Sequence, residues 1–223
     1  MKPQTNMTPD IARFNMVEQQ IRTWQVLDLR VLSLLSQLDR HVFVPPAYQA
    51  LAYSDTELPL AHGECILAPR VDARLLQDLQ LQSHEHVLEI GTGSGYLTAL
   101  LAMSCAHVTS LECHPDFIAP AQLRLSQCGI RNVELLHSEG IPAQSTVQTY
   151  DAIVLGGSVA SVPTALLAML KPGGRLLAVI GEEPMMCATR VVRQADGQGH
   201  SQALWDVVTP RLHGFVEKTA FHF

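Results

Sequence analysis

VLEIGTGSGYLTALLA, residues 87–102, divides into three parts with different physical demands. Val87, Leu88 and Ile90 make a short apolar run, the composition of a parallel strand covered on both faces by helices. Gly91, Gly93 and Gly95 end it, where the backbone must turn sharply and a ligand must reach the main chain without meeting a Cβ. Behind them Leu97, Leu100 and Leu101 recur at helical spacing, so the N-terminus of a helix faces whatever sits above the turn.

Spacing decides which ligand the turn suits. A dinucleotide fold uses G-x-G-x-x-G, its third glycine packing helix on strand. Here Gly91-Thr92-Gly93-Ser94-Gly95 brings the third glycine one residue early, and Glu89 stands two residues before the first. This E-x-G-x-G-x-G resembles the S-adenosylmethionine turn of Rossmann-like methyltransferases. The next strand, 107–111, ends in Glu112, and a carboxylate at that tip can accept both ribose hydroxyls of an adenosine. Glycine-rich strand ends also arise from packing alone; Glu112 in register favours a ligand.

Working outward, the alternation continues on both sides. Thr8-Pro9-Asp10 is a helix start, followed by an apolar stripe of Ile11, Phe14, Val17, Ile21 and Trp24. Asp28 caps a second helix to Leu38 that buries Val31, Leu32, Leu35 and Leu38. Residues 47–70 show no sustained period and read as a long ordered loop, a length that usually serves function. Leu75, Leu76, Leu79 and Leu81 start a helix leading to the central strand. Beyond it come a helix at 115–128, strands at 133–137 and 151–155, a helix at 162–170 and a strand at 175–180. Such alternation makes a doubly wound parallel sheet. Residues 189–195 and 202–208 flank Asp196-Gly197-Gln198-Gly199 as an antiparallel hairpin closing the sheet edge. The expected division is an N-terminal helical extension with the long loop, 1–75, and a sheet domain, 76–223.

The chain of 223 residues can bury about three quarters of its unfolded surface. With 47% hydrophobic and 16% charged residues it has a globular composition. Its net charge of −6, without a Lys/Arg cluster, argues against nucleic acid as a partner. The start MKPQTNMTPD lacks a signal-peptide core and no apolar run is long enough to span a bilayer, so a soluble, cytoplasmic protein without a membrane partner is expected. Five scattered cysteines without a C-x-x-C pair fit reduced thiols. No metal site is expected: His84-Glu85-His86 offers two rings on one face only if extended, a minority arrangement.

Several stretches together resemble the protein-L-isoaspartate O-methyltransferase family over most of the chain. Arg40-His41-Val42-Phe43-Val44-Pro45 is similar to that family's R-H-x-F-V-P, and Ala52-Tyr53-Ser54-Asp55 with Leu58-Pro59-Leu60 to its A-Y-x-D-x-x-L-P-I. These lie outside the generic methyltransferase core and are the specific part. The resemblance implies a Rossmann-like class I fold and S-adenosylmethionine as cofactor, with S-adenosylhomocysteine as product. It implies carboxyl methylation of isoaspartyl residues, a protein-repair reaction on a protein or peptide substrate. It places Glu89, Gly91, Thr92, Gly93, Gly95, Tyr96, Glu112, Cys113, Glu139 and Gly140 around the cofactor. Glu139 stands where the family has an Asp on the adenine amino group; a solvated strand end is the other reading.

The acceptor side departs from the family. Its loop G-Q-T-I-S-Q-P is here Gly63-Glu64-Cys65-Ile66-Leu67-Ala68-Pro69, so Cys65 and Leu67 replace two hydroxyl residues. The family's G-D-G and G-W pair becomes Ser138-Glu139-Gly140-Ile141-Pro142, without tryptophan. Ser158 or Ser161, after the fourth strand, could supply hydroxyls instead, and weakened isoaspartyl turnover is expected. Glu64 is expected to face solvent, away from an acidic substrate. Cys65 could be a nucleophile only with His62 as base; a buried inert thiol is the alternative. A relative methylating another acceptor, including a small molecule, and a non-catalytic protein that binds S-adenosylmethionine both remain compatible with the intact cofactor half.

Overall fold

Thr8 does cap the first helix in the computed structural model, which describes residues 8–141 and 149–215. Its hydroxyl accepts from the Ile11 N–H, and Pro9 opens α1 (Pro9–Asn15). The expected stripe breaks soon after. The chain widens into a π-type turn at Met16–Ile21 and tightens again at Arg22–Trp24. The extra residue per turn rotates the buried face, so Met16, Val17 and Ile21 are buried while Ile11, Phe14 and Trp24 are exposed. Helix α2 (Leu29–Gln37) follows expectation, with the Asp28 carboxylate accepting from the Arg30 N–H and Val31, Leu32 and Leu35 buried.

Residues 47–70 are more structured than a loop. Two-residue strands β1 (Leu58–Pro59) and β2 (Cys65–Ile66) pair antiparallel, too short to leave a period in the sequence. Helix α3 (Pro69–Leu79) begins six residues before the expected start, with Pro69 in its first turn where a missing N–H costs nothing. It runs across the expected boundary at residue 75. One apolar cluster joins Met16, Leu35 and Phe43 to Leu79, Leu100 and Val154, so the N-terminal helices share a core with the sheet.

The sheet alternates as read: β3 (His86–Ile90), α4 (Tyr96–Ala102), β4 (His107–Glu112), α5 (Pro115–Gln127), β5 (Val133–His137), β6 (Tyr150–Val159), α6 (Thr164–Met169), β7 (Leu170–Glu182), β8 (Met185–Arg193) and β9 (Gly199–Asp206). The order is β5-β4-β3-β6-β7-β8-β9, with the first five strands parallel and β8 and β9 antiparallel. Residues 171–174, between the expected helix at 162–170 and the expected strand at 175–180, are drawn into the strand as a register shift between Tyr150↔Leu170 and Ala152↔Arg175. The strand order reverses at β3, between β4 and β6, and ligands of such sheets bind beyond the carboxyl ends at that point. The glycine turn lies there. Among the described residues no helix is long and apolar enough to cross a membrane.

Candidate active site

Parallel pairing of Ile90 with Leu111 brings the ends of β3 and β4 level. Gly91, Gly93 and Gly95 all hold positive φ (97°, 51° and 88°). Glu112, 3% exposed, ties this turn to the end of β4: one oxygen accepts from the Gly93 N–H at 2.7 Å and the other from the His114 N–H at 2.9 Å. A Cβ built on Gly93 would meet only a Leu60 methyl at 3.5 Å, so the space above that glycine is open.

Beneath the turn, carboxyl oxygens are left without partners. Glu89 is fully buried; one oxygen accepts from Thr98 and Ser110, both at 2.6 Å, while Oε1 has no partner. Asp72 of α3 is 2% exposed, and its Oδ2 is likewise unpartnered. Burial pushes the Asp72 carboxyl up to about 7 and the Glu89 carboxyl up to about 8. The Tyr96 hydroxyl is a third orphan, its ring edge-on to Phe43 and under the Arg40 guanidinium. Buried polar atoms without partners are rare, and here they ask for a cationic donor.

S-adenosylmethionine fits that request. Its ammonium group would bring three donors to such a cluster, and its sulfonium further positive charge. Glu89 lies under the turn, fully buried, with one oxygen unpaired. Thr92, bonded to Ser110 at 2.6 Å, is buried support. Asp72 escaped the sequence reading, although an acid on the stripe of Leu75, Leu76 and Leu79 was a signal.

Two cavities flank the turn. One is lined by Cys65, Leu67, Asp72, Gly91, Gly93 and Tyr96, the other by Glu64, Cys65, Glu112, Cys113, Phe117, Leu212 and His213. A larger cavity of about 540 Å³ lies between α2 and α3, but the orphaned polar atoms are not among its lining residues, which leaves the chemistry at the turn.

The acceptor side differs from expectation in several places. Arg40, fully buried, donates to the carbonyls of Ala52 and Leu67 at 2.6 and 2.7 Å and pins the 63–69 loop from below. Ser158 is not a free hydroxyl: it donates to the Thr209 carbonyl at 2.9 Å, its N–H donates to Pro210, and its carbonyl accepts from Leu212. That residue fastens segment 207–215 across the cleft, where Leu212 comes within 3.0 Å of a Cβ placed on Gly91. Ser161 is exposed. Glu64 does not face solvent; it is drawn into the cleft by His114 and His213, 3.3 and 2.9 Å away.

His62 turns to Asp116 at 2.8 Å rather than to Cys65. Burial pushes the Cys65 thiol up to about 12, so it is an inert wall. Burial likewise raises Cys113, to about 11. Glu139 is exposed beyond β5, and Gly140 packs on Gly214; Pro142 lies outside the described residues. Glu85 of the His84–His86 triplet is taken by Arg175 at 2.6 Å, which removes its carboxylate from any metal.

Comparison with known proteins settles the lineage. Residues 12–209 match the family model of protein-L-isoaspartate(D-aspartate) O-methyltransferase. The chain belongs to that family. It is 37% identical over 182 residues to the protein-L-isoaspartate O-methyltransferase of Methanoculleus marisnigri, covering 82% of this chain and 83% of the relative. The Aeropyrum pernix enzyme is 37% identical over 213 residues, covering 92% and 82%. In structure, a Plasmodium falciparum protein described as a protein-L-isoaspartate O-methyltransferase, in complex with S-adenosyl-L-homocysteine, superposes with a TM-score of 0.76 at 23% identity over 90% of this chain and 97% of that one. That likeness carries the fold, a class I methyltransferase sheet with a C-terminal antiparallel hairpin. As a family member the chain is an S-adenosylmethionine-dependent methyltransferase, and the non-catalytic alternative is not favoured.

Proposed function

We propose that this enzyme methylates the carboxylate of isoaspartyl residues in proteins, a repair reaction, in a reducing cytoplasm suited to its free cysteines. When bound, S-adenosylmethionine supplies an electrophilic methyl group on its sulfonium. Asp72, Glu89 and Tyr96 hold the ammonium end; Glu112 meets the ribose, with Cys113 beside the adenosine.

The acceptor carboxylate is ionised near neutral pH, so the chain needs no strong base. What the residues must do is align the acceptor and keep water out. The 63–69 loop provides that wall, and the observation carrying the assignment is how it is held. Arg40 joins the Ala52 and Leu67 carbonyls, and Asp55 pairs with Arg70 at 2.8 Å just after the loop. The segments that resemble this family specifically, 40–45 and 52–60, thus converge on the loop that faces the acceptor.

The test is methyl transfer from labelled cofactor to an isoaspartyl peptide beside its normal aspartyl counterpart. Transfer to the isoaspartyl peptide alone is expected; bound cofactor with transfer to neither would overturn the acceptor. Cys65 borders both cavities, so Cys65→Thr restores a hydroxyl there and should raise isoaspartyl kcat by about tenfold, below the full two to three orders of an oriented donor. Leu67 is buried, and Ser in its place would cost stability first.

A further inference from the structure

Two histidines and a glutamate from three distant segments meet at the mouth of the cleft. Glu64 comes from the turn between β1 and β2, His114 from the turn before α5, and His213 from the segment fastened by Ser158. Glu64 Oε1 lies 3.3 Å from His114 Nε2 and 2.9 Å from His213 Nε2, and all three ligand atoms fall within 4.8 Å of one another. With bonds of about 2.05 Å, the ligands of a tetrahedral zinc stand about 3.4 Å apart. The cluster is close to that spacing.

We propose that Glu64, His114 and His213 form a site for a divalent transition metal, zinc foremost, that clasps the acceptor loop to the C-terminal segment. Two imidazoles and one carboxylate suit zinc, cobalt or nickel; calcium and magnesium prefer oxygen alone. Three protein ligands leave a fourth position open, as in sites that exchange a water. Two features preset the site. His62 stacks on His114 with centroids 4.3 Å apart and planes 8° from parallel, fixing that ring's orientation, and His62 is itself held by Asp116. The side chains of Glu64 and His114 are 23% and 22% exposed, so neither swings freely, while His213 at 65% remains reachable from solvent. A second grouping, Glu112, Cys113 and His114, is the weaker candidate, because Glu112 is only 3% exposed and belongs to the cofactor pocket.

The experiment titrates the full-length, untagged protein with zinc by calorimetry and with cobalt by visible absorption, without cofactor or peptide, so methyl transfer plays no part. One equivalent per chain and the strong bands of four-coordinate cobalt are expected. His213→Ala and Glu64→Gln should each weaken binding at least about tenfold, the loss that removing even an outer hydrogen-bond partner brings. His86→Ala, at the start of β3 beside His107 and at the opposite end of the strand from the turn, should leave it unchanged. Because His213 is mostly exposed, its removal leaves the fold intact, and an unaltered thermal transition checks this. Absence of stoichiometric binding, or binding indifferent to both variants, overturns the site.

Discussion

The cofactor side and the acceptor side of the cleft are built on opposite principles. The cofactor side is centred on one stretch, residues 87–112, whose turn is braced internally by Gly91 N–H to the Leu111 carbonyl, Gly93 N–H to Glu112 and Thr92 to Ser110. Even so braced, it leaves Glu89 Oε1 unpartnered, as α3 leaves Asp72 Oδ2. The acceptor side comes from residues 40–70, 156–161 and 207–215, and its polar groups are largely consumed: the Leu67 carbonyl by Arg40, the Ser158 hydroxyl by Thr209, the Glu64 carboxylate by two histidines. One half leaves buried carboxyl oxygens open. The other is a wall whose shape is fixed by bonds to itself.

The sharpest way to break that contrast is Gly93→Val. The side chain fills the open space above the turn, and the strain of a positive φ costs about 1–2 kcal/mol, which the fold can absorb. Cofactor binding should fall by more than about a hundredfold while a cooperative thermal transition persists. Full affinity in that variant, measured by calorimetry, would make the turn merely structural.

A pH series sharpens the contrast further. Asp72 and Glu89 ionise near 7 and 8 in the fold, against ordinary values of 3.8 and 4.5. Their contribution to stability is therefore fully present below about pH 4 and is lost as pH rises through 7 to 8. The cofactor-free protein should melt at lower temperature at pH 8.5 than at pH 5.5, and S-adenosylhomocysteine affinity should climb over the same interval as the acids become anions. Asp72→Asn should flatten both curves and weaken binding at pH 8. Curves identical to wild type would remove Asp72 from the receptor.

The smallest effect belongs to Glu112→Gln. The amide keeps one oxygen for the Gly93 or His114 N–H but loses the charge, and cofactor affinity should drop by about 0.5–1.5 kcal/mol. An unchanged Kd would separate bracing from binding at that residue.

The same contrast explains what could be read from the sequence. Glycine spacing, the strand ahead of it and Glu112 are local, so their geometry follows from adjacent residues, and the whole alternation from β3 to β9 followed with them. Asp72, Arg40 and the Glu64 histidines act across the chain. Arg40 sits in a motif that was recognisable, yet its burial against two carbonyls depends on Ala52 and Leu67 reaching it. Ser158 read as a spare hydroxyl because the segment that consumes it, 209–212, begins where the hairpin pattern stops. The stripe of α1 failed for a different reason: a widened turn shifts phase without any proline or glycine to announce it.

Ser158 exchanges backbone hydrogen bonds with Pro210 and Leu212 on both of its sides. Proteins emerge from the ribosome with their N-terminal parts first, so the glycine turn and its flanking strands are made well before this stitch can close. A growing chain thus owns the floor of the pocket before it has the segment that covers it, and the cover closes only after residue 212 has been made.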